Sequence, residues 1–107
     1  MIAKNPTRNG DRVVNKIRQA FADYQVNHRR AVVEVKRQGR ATIRVRVVDP
    51  DFRGLDKVER WKMVWPVIEP LPSRVRDDIY ILLLLTPAEK RTSFLSKEFD
   101  DPSRSLL

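Results

Sequence analysis

One run constrains this sequence more than any other: Ile79 to Leu85, seven consecutive apolar residues held between Asp77-Asp78 and Thr86-Pro87. A membrane span needs about 20 such residues, so the run is expected inside a soluble fold. It has no polar alternation, which reads as a β-strand over Asp78 to Leu85 covered on both faces. A strand of that kind suits a position reached through a helical crossover from an earlier parallel strand.

The earlier strand is found in Arg30 to Arg37 and Arg40 to Val48, two segments rich in Val, Ile and Thr with Gln38-Gly39 between them. A two-residue turn at Gln38-Gly39 would set Val35 against Thr42 and mix apolar with polar positions on both faces. A three-residue loop of Arg37, Gln38 and Gly39 instead pairs Val35 with Ala41, Val33 with Ile43 and Ala31 with Val45, all apolar. It also puts Gly39 where a type I turn with a G1 bulge takes a left-handed residue. The opposite face then carries Glu34 with Thr42, Val32 with Arg44, Arg30 with Arg46 and Lys36 with Arg40; five of these eight side chains are cationic and one is acidic.

Charge distribution gives that face its interest. The 107 residues hold 22 Lys and Arg against 14 Asp and Glu, a net charge of +8. Before and including Pro50 there are 12 basic and 4 acidic residues, and after it 10 of each, so the whole excess is N-terminal. Such an excess can serve solubility alone. Gathered on one hairpin face, with Arg30 directly opposing Arg46 and weakening the pairing, it favours a surface that an anion covers.

Asp11 is placed to cap a helix of about 14 residues with the stripe Val13, Val14, Ile17, Ala20, Phe21 and Tyr24. Asp49-Pro50-Asp51 ends the second strand, and Phe52-Arg53-Gly54 turns the chain into a helix starting near Leu55. Val58, Trp61, Val64, Trp65 and Ile68 mark that helix, and Pro66 is set to kink or end it. Pro70 to Ser73 is an extended connector. Thr86-Pro87-Ala88-Glu89 combines an N-cap, a proline in the first helical position and a capping-box glutamate, which starts a short helix running to about Phe99. Residues 1–10 read as a mobile basic arm and 100–107 as a frayed tail, around a single domain over 11–99. The order αββαβα gives an α+β fold: a three-stranded mixed sheet, helices packed on one face, and the basic hairpin face as its open side.

Cysteine is absent and His28 is the one histidine. Disulfides, zinc-thiolate sites and thiol catalysis are therefore excluded, and a catalytic triad or an all-protein metal site lacks its usual ligands. The chain reads as non-enzymatic, with no catalytic residue, metal or cofactor. His28 reads as a solvated linker residue beside Arg29 and Arg30, and Asp49 and Asp51 as turn caps rather than cation ligands. Trp61 and Trp65, four apart and in line with Val58 and Ile68, read as core rather than as base-stacking platforms. Tyr80 reads as buried with its hydroxyl bonded. Met1 to Pro6 carry no signal-peptide stretch, so a cytoplasmic location is expected.

Four motifs together resemble the BolA family, small single-domain proteins whose fold is similar to the type II KH domain. They are Val47-Val48-Asp49, Phe52-Arg53-Gly54-Leu55, Val58 with Arg60, and Leu84-Leu85-Thr86-Pro87-Ala88-Glu89 after an apolar strand. The resemblance spans roughly Asp11 to Phe99 and implies the KH-like version of the fold above. In that family a histidine in the strand before the Thr-Pro cap is associated with sharing an iron-sulfur cluster with a monothiol glutaredoxin. Here the corresponding stretch is Ile79-Tyr80-Ile81-Leu82, and a tyrosine of pKa about 10 replaces imidazole poorly as an iron ligand. Trp61 likewise stands where the family often has a histidine. The resemblance thus supports the fold and argues against the cluster. KH domains also grip a nucleic-acid backbone with a Gly-x-x-Gly loop; the equivalent turn, Gly54-Leu55-Asp56-Lys57, keeps one glycine.

The leading expectation is a non-enzymatic module that binds nucleic acid, RNA or DNA, through Arg30, Lys36, Arg40, Arg44 and Arg46. Gly54, Lys57 and the arm residues Lys4 and Arg8 would assist. The alternative is a BolA-like adaptor or regulator that docks a glutaredoxin-like protein without a shared iron-sulfur cluster. No membrane partner is expected.

Overall fold

The structure, a computed structural model, describes residues 11–101. The expected basic arm, with Lys4 and Arg8, lies outside the described residues, as does the expected tail beyond Asp101. Helix α1 (Arg12–Ala20) starts as its sequence requires, with the Asp11 carboxylate accepting the Val14 N–H at 3.1 Å. The Phe21 N–H is shared between the carbonyls of Ile17 and Arg18, each at 3.2 Å, so the ladder tightens there. The chain resumes as α2 (Ala22–Asn27), and one expected helix is two. The stripe still faces inward, burying Val14, Ile17, Phe21 and Tyr24.

Strands β1 (Val32–Gly39) and β2 (Thr42–Val48) form the antiparallel hairpin, and β3 (Ile79–Leu85) lies parallel to β2, in the order β1-β2-β3. The crossover holds a 3-10 turn (Pro50–Phe52), α3 (Lys57–Ile68) and α4 (Ser73–Asp78), and the chain ends in α5 (Pro87–Thr92) and α6 (Phe94–Asp100). This is the αββαβα arrangement of an α+β fold with a three-stranded mixed sheet and a helix layer on one face. That layer meets the sheet in one cluster, where Val35, Ile43, Val45 and Val47 pack on Ile17, Phe21, Val64, Ile68 and Val75. Each side chain buried there contributes about 1.5–3 kcal/mol. No helix among the described residues is long and apolar enough to cross a membrane.

The hairpin register differs from the sequence reading. The turn is Arg40-Ala41, with Gly39 opposite Thr42, and a bulge between Arg37 and Gly39 absorbs Gln38. Beyond the bulge Val35 pairs with Val45, Val33 with Val47 and Val32 with Val48, while Glu34 faces Arg46 and Lys36 faces Arg44. Arg30 does not oppose Arg46, and Gly39 is not left-handed; Gly54 is the glycine with positive φ among the described residues, at 82°. Both registers set apolar residues against apolar ones, because a two-residue turn plus one bulged residue preserves the alternation that a three-residue loop preserves. Pattern alone therefore could not separate them.

Other departures have local causes. Helix α3 starts at Asp56, which forms a capping box with Glu59, and runs through Pro66 to Ile68 before it ends. Helix α4 has one buried apolar residue, Val75, and so shows no period to read. The last helix is split at Ser93, whose hydroxyl accepts the Ser96 N–H and caps α6. Most important, β3 has no strand on its outer side, although Ile81 to Leu85 are buried or half-buried. It is an edge strand, Tyr80 is the extra residue where its pairing with β2 shifts, and Tyr80 is 71% exposed.

Candidate functional site

The basic hairpin face is not open. Helix α6 lies on it, and Phe99 is buried beneath three cations, with the Arg46, Arg44 and Lys36 heads 4.5, 5.0 and 5.1 Å from its ring centre. Arg46 is 1% exposed and uses all its donors: Nε and one terminal nitrogen hold Glu34 at 2.8 and 2.9 Å. The terminal nitrogens also reach the Ser96 hydroxyl at 2.8 Å and Asp100 at 3.0 and 3.2 Å. Burial alone would lower the Arg46 pKa, but its bonds to Asp100 and Glu34 outweigh that and raise it; the same contact lowers the Asp100 carboxyl. Arg44 is 6% exposed and donates to the carbonyls of Glu98, at 2.9 Å, and Phe99, which close the last turn of α6. Burial lowers its pKa. Arg44 and Arg46 are thus interior residues that anchor α6, and neither can meet a phosphate.

The remaining residues of the expected nucleic-acid surface do not converge. Arg30 and Arg40 are exposed but lie before and after the eight-residue β1, which puts them roughly 25 Å apart at about 3.3 Å per residue. Lys36 is exposed and lies 3.7 Å from Asp100. Gly54 and Lys57 are exposed at the entry to α3, yet the carboxylate of Asp56 already accepts the Glu59 N–H there at 2.8 Å. A phosphate would need that helix terminus, and a carboxylate fills it. Gly54 provides the turn; its φ of 82° is a conformation that other residues adopt with strain.

His28 is more engaged than its sequence context suggested. Its Nδ1 lies 2.8 Å from Asp51 and 3.2 Å from Asp49, and its ring stacks on Tyr24 with centroids 4.1 Å apart. Asp49 is buried, accepting the Tyr24 hydroxyl at 2.6 Å and the Asp51 N–H at 2.9 Å. Burial first, and Asp49 second, push the Tyr24 hydroxyl above its ordinary pKa. The three potential ligand atoms lie within 4.8 Å of one another, but protein groups already partner each of them, and the cluster works as a clip joining α2 to the end of β2.

A surface that sequence reasoning missed lies along β3. Trp61 and Trp65 stack on each other, ring centres 5.0 Å apart at 19°, beside Ile79, Tyr80 and Leu82 in a groove of about 540 Å³ that Arg76 and Asp77 close. A second groove, of about 330 Å³, continues along Leu82 to Leu85 between Trp61 and Lys57 on one side and Ser93 and Leu95 on the other. Trp61 is 44% and Leu95 52% exposed. The available signal was on α3: Val58, Trp61, Met63, Val64, Trp65, Val67 and Ile68 cover more of the helix than one buried stripe needs. Buried positions are Arg60, Val64 and Ile68; Trp65 packs half-buried against the core as expected, while Trp61 belongs to a second, exposed face.

No family model, curated protein or solved structure matches the chain. Residues of three of the sequence motifs meet in one place. Arg60 donates to the carbonyls of Leu55 and Leu84, each at 2.9 Å, and pairs with Glu89 at 2.6 and 3.1 Å, over the ring of buried Phe52. Arg60 and the Thr86 N–H hold the Glu89 carboxyl down to about 2.

Proposed function

We propose that this chain is a non-enzymatic protein-docking module, an adaptor of the kind the BolA resemblance implies, with the outer edge of β3 as its working surface. The supporting observation is the edge itself. No strand among the described residues lies beside β3 opposite β2, so alternate N–H and C=O groups point outward without a strand partner, and of these Arg60 holds the Leu84 carbonyl at one end. Natural edges are blunted by lysines, prolines or charges, and from Ile81 to Leu85 this one has none. A partner segment laid along it would add main-chain hydrogen bonds and place side chains against Trp61 and Leu95.

Peptides selected from a random library test this reading. Both tryptophans of the chain border the groove, so bound peptides should be uncharged, extended segments that shift tryptophan emission. Their affinity should fall at least tenfold in Tyr80→Lys and stay unchanged in Arg40→Glu. Selected peptides that bind Tyr80→Lys as well as the parent would contradict it.

A second reading, contact with a nucleic-acid backbone, is favoured by the exposure of Arg12, Lys16, Arg29, Arg30, Arg40 and Lys57. It predicts binding to single-stranded RNA that weakens steeply between 50 and 300 mM salt and that Arg30→Glu with Arg40→Glu reduces. RNA affinity indifferent to salt or to that pair would remove it.

A further inference from the structure

We infer that the occupant of the β3 edge is a second copy of this chain, paired antiparallel about a two-fold axis so that two three-stranded sheets become one of six strands. The inference rests on the docking reading above and names its partner. A two-fold contact requires a surface that complements itself, and this edge does. Ile81 to Leu85 is uncharged throughout, so it brings no like charges together when opposed to itself.

The two ends of the groove supply orientation. Asp77 borders the end at the start of β3, and Lys57 borders the end at its finish; both are exposed. Antiparallel pairing carries each Asp77 toward the Lys57 of the other copy, giving two opposite-charge contacts, whereas parallel pairing would set like ends together. Charge of this kind fixes direction and register more than it adds affinity. Flanking contacts come from the exposed faces of Trp61 and Leu95, which meet their own counterparts across the axis.

The test is the mass of the full chain in solution by sedimentation equilibrium from 1 to 300 µM, with folding of every variant checked by its melting temperature. The parent should approach twice its 12.6 kDa chain mass as concentration rises. Tyr80→Lys and Leu95→Glu change exposed side chains at either flank, and each should weaken association at least tenfold without lowering the melting temperature. Lys57→Asp and Asp77→Lys should each weaken it, and the double exchange should restore it, since the pair then reforms with reversed signs. A parent that stays monomeric up to 300 µM would overturn the second-copy assignment, as would a dimer indifferent to Tyr80→Lys and Leu95→Glu. A monomer that still binds library peptides through the groove would keep the docking reading; a monomer that binds none would remove both.

Discussion

Arg46 shows how little a charge count says about where charge goes. It is among the most buried side chains in the molecule, held by Glu34, Asp100 and Ser96 above the Phe99 ring. Removing one partner of a buried, bonded charge costs about 3–5 kcal/mol. Arg46→Ala should therefore lower the melting temperature by roughly 10 °C or more, on the usual 4–8 °C per kcal/mol for domains of this size, while Arg40→Glu should leave it nearly unchanged. Equal effects would mean that α6 does not hold the hairpin face. Glu89 gives a pH signature. Its folded pKa is about 2 against an ordinary 4.5, so its pairing with Arg60 stabilises the fold fully above about pH 4.5 and loses that contribution as pH falls toward 2. The melting-temperature gap between the parent and Glu89→Gln should be widest at neutral pH and close across that window; a gap that persists at pH 2 would contradict it. The burial of Arg44 and Arg46 could not be read from the sequence, because a saturated arginine and a solvated one look alike there. Glu34, the one acid on that face, was the available clue, and its partner depended on register.

At the scale of elements, local chemistry was legible wherever one residue decides a boundary. Asp11 and Thr86 cap helices as their side chains require, with Thr86 completing its box through Glu89. The hairpin was legible in its alternation but not in its turn, since a bulge at Gln38 restores the parity that the Arg40-Ala41 turn breaks. Gly39 and Gly54 test that account. Gly39→Ala should be nearly neutral, because Gly39 has no positive φ and an added methyl would meet Thr42 only at 3.8 Å. Gly54→Ala, at φ 82°, should cost about 1–2 kcal/mol, read as a lower denaturant midpoint. The reverse order would restore the three-residue loop. Helix α4 and the split at Ser93 were illegible for a simpler reason: six- and seven-residue helices carry too few apolar positions to show a period.

At the scale of the whole molecule, the sequence announced a cationic surface and an interior apolar strand, and the fold encloses part of the first and sets the second at a sheet edge. Two of the hairpin arginines are enclosed beneath α6, and the most apolar segment, buried or half-buried from Ile81 to Leu85, is an edge strand beside two stacked tryptophans. Apolar content alone cannot tell a central strand from an edge strand, because that difference lies in which neighbours the topology provides. The αββαβα order was legible because the crossover rule leaves few alternatives. On the docking proposal, the third-strand edge and not the basic hairpin is the surface that meets a partner. Backbone amide hydrogen exchange at 5 and 300 µM protein tests it most directly. The prediction is that outward amides within Ile81 to Leu85 gain at least tenfold protection at the higher concentration while those of the Arg40-Ala41 turn do not change. Exchange along Ile81 to Leu85 that is fast and identical at both concentrations would contradict it.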